Sequence, residues 1–253
     1  MSLLISNVFT YDEDAGNYIQ AVETADAQAL EPATRKAINN FVIGCKQDGI
    51  WEAIKASCIL AGARTLDGAL VPLAGPAPSN VGPFVSGDYN RKLGLQSNAS
   101  KWLISNASPS QYTEQNSAHI SAYLTSSFAI SVMGSLDLTT SRVTWLRGDG
   151  NVTINSSAPV ASTVPSGSGF AGLSRSNNAN YTNRINGSNV TVVQGSTVPS
   201  AVPIAVFGRN INGNVSETGA KRIAFYSIGE AIDLALLDAR VTDLINAFAV
   251  TIP

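Results

Sequence analysis

His119 is the single histidine of the chain, so any Ser/His/Asp or Cys/His nucleophilic system would have to be built around it. It stands just before Ile120, at the head of an alternating apolar and polar run and on its polar side. That is the place of an ordinary strand-end residue. Paired carboxylates would serve glycoside hydrolysis. Between residues 81 and 229 the candidates are Asp88, Glu114, Asp137, Asp149 and Glu217. Each is isolated in a loop-like context, and no Glu-x-Asp-x-x-Glu strand pattern joins any two of them. Cys45 and Cys58 lie in apolar stretches, as buried free thiols do, and two cysteines with one distant histidine cannot form a usual structural zinc site. Gly167-Ser168-Gly169 precedes a strand with no helix after it, so it is not a phosphate loop or a dinucleotide fingerprint. Arg147-Gly148-Asp149 spells an adhesion tripeptide, but it overlaps the turn at Asp149-Gly150, which accounts for both its glycine and its aspartate. No catalytic residue, metal ligand or cofactor is expected, and the chain reads as a non-enzyme.

Sugar recognition asks for a different set: an aromatic face for the sugar's C–H surface, and amides or backbone groups for its hydroxyls. Trp145, Tyr112 and Tyr181 fall near expected loops, alongside Asn151, Asn155 and Asn180. The candidate glycan-binding set is therefore Trp145, Tyr112, Tyr181, Asn151 and Asn155. Trp145 alternates with Val143, which also suits a core position. Eight Asn-x-Ser/Thr sequons occur, a consequence of an Asn-, Ser- and Thr-rich surface, and they are read as unmodified.

The elements that must carry these residues follow from composition and period. Of 253 residues, 44% are hydrophobic and only 13% charged, about half the usual charged fraction. The core can be large, and the surface must be neutral and polar. The net charge of −2 gives no basic excess to draw in nucleic acid or an anionic membrane. Residues 1–80 carry nine acidic and five basic side chains, whereas the remainder carry nine and eleven, which supports a boundary near residue 80. Met1 to Tyr11 has an apolar patch at Leu3, Leu4 and Ile5 with no basic residue ahead of it, too short for a signal peptide. No run approaches bilayer-spanning length. Synthesis in the cytosol without membrane insertion is expected.

Tyr18, Ile19, Val22 and Ala25 mark a first helix. Ala37, Ile38, Phe41, Val42 and Cys45 mark a second, opened by Glu31-Pro32 and broken at Asp48-Gly49. Ile50, Trp51, Ile54, Cys58 and Ile59 recur as a third helical stripe. Residues 1–65 thus read as a helical attachment and oligomerisation segment, too small to be very stable alone and so expected to dock on something. Residues 66–90, punctuated by Pro72, Pro76, Pro78 and Pro83, read as a linker or ordered wrap with one strand near Leu73. From 91 onward the period is two. Ile120, Ala122 and Leu124 share one face, and Phe128, Ile130 and Val132 share another. Tight turns are expected at Asp149-Gly150, Asn186-Gly187 and Asn212-Gly213. In the last strand Ile223 and Phe225 should point one way, Ala224 and Tyr226 the other. Asp233 caps a final helix whose stripe, Leu234, Leu237, Val241, Leu244 and Phe248, packs on the sheet or on neighbouring copies. The fold class is mainly β: an antiparallel β-sandwich over 91–253, with a small N-terminal helical segment and a C-terminal helix.

Two stretches carry a resemblance. One runs from Ala37 through Gly87 and includes AINNFVIGCKQDGIWEAIKASCILAGARTLDGALVPLAGPAPSN. The other is RIAFYSIGEAIDLALLDARVTDLINAF, Arg222 to Phe248. Together they resemble a family of phage structural proteins from marine and freshwater viruses, described as tail-fibre or virion proteins. Tyr89 to Phe248 also resembles the concanavalin/laminin-G-like jelly rolls, in which an early short strand, here Lys101–Ile104, pairs with a late one, here Arg222–Ile228. The calcium-site carboxylates of some jelly rolls cannot be placed in this sequence. The resemblance implies a virion component made in the host cytoplasm. Its expected partners are further copies of itself, as a homotrimer, other virion proteins through the N-terminal segment, and host-surface glycan. A capsid decoration protein without ligand and a glycan-degrading tailspike are the alternatives.

Overall fold

Asp12 caps the first helix, its carboxylate accepting from the Asp14 amide, the bond that an exposed first-turn N–H needs. The computed structural model describes residues 10–127, 131–148, 150–162 and 167–253. The expectations for Leu3 to Ile5, for Phe128 and Ile130, and for Asp149 lie outside them. Helices α1 (Glu13–Asp26) and α2 (Pro32–Gln47) are followed by β1 (Ile54–Ile59), α3 (Leu66–Ala69), β2 (Pro72–Ala74), β3 (Ser79–Gly82), β4 (Tyr89–Asn90), β5 (Gly94–Ser97), β6 (Trp102–Ile104) and α4 (Pro109–Tyr112). Then come β7 (Ala118–Leu124), β8 (Ser131–Asp137), β9 (Arg142–Arg147), β10 (Asn151–Ser156), β11 (Val160–Ala161), β12 (Gly169–Arg175), β13 (Asn180–Ile185) and β14 (Ser188–Val193). β15 (Ala205–Val206), β16 (Arg209–Ile211), β17 (Asn214–Ser216), β18 (Lys221–Gly229) and α5 (Leu234–Thr251) complete it.

The strands form two sheets, as the fold reading expects: a mainly β, antiparallel sandwich of jelly-roll type. The first runs β14–β13–β12–β7–β18–β1–β2, with β5 also on β18 and β4 on β5. The second runs β11–β10–β9–β8–β15–β6–β3, with the β16–β17 hairpin attached to β8, where β16 pairs parallel. Between the sheets lies one apolar core, with Ile120, Leu124, Tyr226 and Ile228 from the first sheet meeting Val132, Leu146, Val152 and Ile154 from the second. A second core lies on the other side of the first sheet. There Ile54, Ile59, Phe170, Ala224 and Phe225 meet Ile19, Val22, Phe41 and Val42 of α1 and α2, and the full Leu234, Leu237, Val241, Leu244, Phe248 stripe of α5. The molecule is therefore three layers, helices on sheet on sheet, and α5 packs on its own sheet and α2.

Three local expectations are corrected. The third helical stripe is a 3₁₀ turn at Trp51–Ala53 running into β1, which pairs with β18 and β2. Ala56 and Cys58 fill one core and Ile54 and Ile59 the other; a strand buried on both faces has no polar side to reveal its period. The short strand β6 pairs with β15 and β3 in the second sheet, and β18 takes β5 as its early partner instead. In β18 the register shifts between Ile223 and Phe225. That irregularity puts Ile223 and Tyr226 in the inter-sheet core and Ala224 and Phe225 in the helical one, because one extra residue flips the alternation. The Asn186-Gly187 and Asn212-Gly213 turns stand where expected, both residues of each pair at positive φ, as a type I′ hairpin requires.

A cavity at one end of the sandwich

Ser108, Pro109, Ser110, Gln111 and Tyr112 make a single helical turn with proline in its first turn. Gln111 Oε1 accepts from the Ser108 amide at 3.3 Å, the return bond of a capping box, and from the Ser108 hydroxyl at 2.8 Å, which fixes the turn from within. Thr113 closes it, its amide and hydroxyl both donating to the Pro109 carbonyl at 2.8 Å. The next residues are held from behind by Asn155, which is 1% exposed. Its Nδ2 donates to the Glu114 carbonyl at 2.9 Å and to Thr113 Oγ1 at 3.3 Å, while its Oδ1 accepts from Thr144 Oγ1 at 3.1 Å. Asn155 thus ties β10 of the second sheet to the Thr113–Glu114 segment.

The facing wall comes from the first sheet. Lys55 sits in β1 and Glu230 just past β18, and Lys55 Nζ lies 3.0 Å from Glu230 Oε1. Glu230 is positioned through its backbone: its amide donates to the Ala53 carbonyl at 3.0 Å, and its carbonyl meets His119 Nδ1 at 2.5 Å. A carbonyl can only accept, so Nδ1 carries the proton. Nε2 is then left to accept from the Ser227 hydroxyl, also 2.5 Å away. His119 is fully buried, which corrects its expected place on the polar side. Burial pushes its pKa down to about 4, because the charged form would lose its hydration.

Between these walls is a cavity of about 320 Å³ lined by Lys55, Ser110, Gln111, Tyr112, Thr113, Glu114 and Glu230. That is at the lower end of the usual range for small-ligand sites, about 300–1,000 Å³. It is polar, with one aromatic ring and both acceptor and donor groups. Among the described residues no three His, Cys, Asp or Glu side chains converge as metal ligands, and no helix is long and apolar enough to cross a membrane.

Of the sequence-predicted binding residues, Tyr112 lines this cavity and Asn155 braces its wall. The other three are elsewhere. Trp145 is 2% exposed, and its indole N–H donates to Ser131 Oγ at 2.6 Å. The guanidinium carbons of Arg147 and Arg209 lie 3.9 and 3.7 Å from its ring centroid. Two guanidinium groups that close cannot share one face, so both faces of the indole are taken. Tyr181 is 1% exposed and its hydroxyl donates to the Val152 carbonyl at 2.9 Å. Asn151, half-buried at the start of β10, does not line the cavity. Trp145, Tyr181 and Asn155 are thus corrected from surface to interior: each side chain lies on a face of its strand that the fold covers. Lys55, Gln111 and Glu230 are the residues that sequence reasoning missed. The Ser108-x-x-Gln111 capping pattern was the available signal for the turn; nothing local linked it to Lys55 or Glu230.

No protein-family model and no curated protein matches this chain. Solved structures resemble parts of it at low identity. One is the botulinum neurotoxin serotype D binding domain, with 12% identity, a TM-score of 0.47, and 76% of this chain and 51% of that one covered. This chain therefore spans about half the length of that domain. Another is the Ruminococcus gnavus IT-sialidase CBM40 bound to α2,3-sialyllactose, with 19% identity, a TM-score of 0.36, and 50% of this chain and 81% of that one covered. A third is an arabinofuranosidase complexed with arabinofuranosyl-α-1,2-xylobiose, with 12% identity, a TM-score of 0.39, and 60% and 40% covered. None of these identities allows a binding residue to be carried from one chain to another.

Proposed function

We propose that this chain is a non-enzymatic surface protein of a bacteriophage virion, of tail-fibre type, and that it binds a host-surface glycan in the Tyr112 cavity. The observation that carries the binding half is the company Tyr112 keeps. One ring stands with the Ser110 hydroxyl, the Gln111 amide, Lys55 and two carboxylates around a single cavity, on walls already fixed by buried hydrogen bonds. Sugars present C–H faces to aromatic rings and hydroxyls to planar polar groups. A wall ordered in advance spares the cost of ordering it on binding. The virion half is supported by the resemblance of the Ala37–Gly87 and Arg222–Phe248 segments and by the low charge of the surface. The protein would be made in the host cytoplasm, assemble as a homotrimer, and meet other virion proteins through its N-terminal helices.

Whole-cell or glycan-array binding tests the reading directly. Tyr112→Ala should weaken binding at least about tenfold, the loss of one stacked ring, with a fall in the thermal midpoint as well, because the half-buried ring also packs on the inter-sheet core. Tyr112→Leu, which keeps much of that packing, should lose the binding with less loss of stability. Binding unaffected by the change would remove the cavity from the proposal. Size-exclusion chromatography with light scattering should give a trimer. Copy number on purified particles separates a tail component, at tens or fewer, from a capsid decoration protein at hundreds. A second reading has one observation in its favour: Glu114 and Glu230 line the same cavity, and two carboxylates are what glycoside hydrolysis uses. Reducing ends released from host polysaccharide, and lost in Glu114→Gln, would replace the binding role with a degrading one.

A further inference from the structure

Resting on that reading, we infer that the cavity selects uncharged saccharides offering adjacent hydroxyls, and disfavours those carrying a carboxylate or sulfate. The charged groups that line it are Lys55, Glu114 and Glu230. Lys55 and Glu230 neutralise each other across 3.0 Å. Glu114 has no ion pair among the described residues, so the cavity carries one carboxylate without a counter-charge. An anionic sugar placed beside it would meet repulsion, and no described cation in the cavity is free to offset it.

The hydrogen-bonding inventory points the same way. The Thr113 hydroxyl is already committed, donating to the Pro109 carbonyl and accepting from Asn155. Gln111 Oε1 is committed to Ser108, which leaves the Gln111 Nε2 group as a donor pair unused among the described residues. Among the described residues the exposed Glu114 carboxylate is an unused acceptor pair, since only its backbone is engaged, with Ser117 and Asn155. Two carboxylate oxygens accept from two neighbouring sugar hydroxyls, and an amide N–H₂ then donates to a ring or hydroxyl oxygen. A carboxylate-bearing sugar would set acceptor against acceptor at Glu114. A neutral vicinal diol satisfies both sides.

The test is an array of neutral oligosaccharides, each printed beside its sialylated and its sulfated derivative, probed with the full chain and with Glu114→Gln. The wild type should bind at least one neutral glycan and hold its anionic derivatives at least about fivefold more weakly. In Glu114→Gln the neutral affinity should fall about three- to tenfold while the gap to the anionic derivatives closes to within about twofold. Because Glu114 is exposed, its thermal midpoint should not move. Anionic derivatives bound as tightly as their parents by the wild type would overturn the selectivity while leaving a glycan-binding cavity standing. A gap undiminished in Glu114→Gln would overturn the role given to this carboxylate. No binding to any spot would sink the glycan reading and this inference with it.

Discussion

Arg175 is fully buried and, among the described residues, has no carboxylate partner. Its Nε donates to the Ile154 carbonyl at 3.0 Å, its Nη1 reaches the carbonyls of Asn177, Asn180 and Gln194 at 3.0 to 3.3 Å, and its Nη2 meets Ser156 Oγ at 3.0 Å. One side chain thus gathers the ends of β10, β13 and β14. Arg175→Met would keep much of the volume and strip donors from these acceptors. Unsatisfied buried groups cost about 1–3 kcal/mol each, so a loss of at least about 3 kcal/mol is expected in urea unfolding, with the slope unchanged. An unmoved midpoint would mean that water reaches those carbonyls. His119 gives a pH signature. Its folded pKa of about 4 lies below the ordinary value near 6.5, so between those values the unfolded chain binds more protons. Its contribution is fully present above pH 6.5 and is lost as pH falls toward 4, on the order of 3 kcal/mol in all. His119→Gln should flatten the stability curve in that window, and an equally steep fall in the variant would put the titration elsewhere. Neither role could be read from sequence: Arg175 and His119 each look like polar strand residues until both sides of their strands are covered.

At the scale of elements, what was legible was local. Asn186-Gly187 fixes its own hairpin, and the α5 stripe, spaced three and four residues apart, declares its buried face before any partner is known. What was hidden depended on partners far along the chain. β1 looks helical because both its faces are apolar, and its strand identity comes from β18. The cavity was half legible for the same reason. Tyr112 stood out as an aromatic near a loop, whereas Lys55 and Glu230 join it only because β1 and β18 are neighbours. α5 supports a sharper expectation. Phe248 is fully buried against Gly62, where a Cβ would come within 2.7 Å of its ring. Gly62 also holds φ +86, a conformation that L side chains rarely adopt. The helix is seated ring against backbone, with no slack to refill a void. Phe248→Ala should cost about 3–5 kcal/mol by chemical denaturation, and a loss under about 1 kcal/mol would mean that α5 is not seated as described.

For the whole molecule, the question is whether the N-terminal helices are a detachable arm. Their apolar stripes are spent inward: Ile19, Val22, Leu30, Ile38, Phe41 and Val42 are all nearly or fully buried, in one core with Phe170 and Phe225 of the first sheet. Ion pairs then fasten the helices to their surroundings and to one another. Glu31 takes Arg91 through two bonds of 2.8 and 3.1 Å, with Arg64 Nη1 at 2.8 Å, and these guanidinium groups hold its carboxyl down to about 2. Arg240 of α5 pairs with Asp48 at 2.7 Å. An attachment made through α1 and α2 would therefore use their outward faces, because the inward ones are already occupied by the sandwich. Burying a large aliphatic or aromatic side chain is worth about 1.5–3 kcal/mol, so uncovering half a dozen exceeds much of the about 5–15 kcal/mol that holds a domain folded. A chain starting at residue 48 should accordingly aggregate or bind hydrophobic dyes, with weakened near-ultraviolet circular dichroism. A soluble, cooperatively unfolding fragment with the parent's aromatic signature would show instead that the sandwich stands alone and that the helices are a separate module.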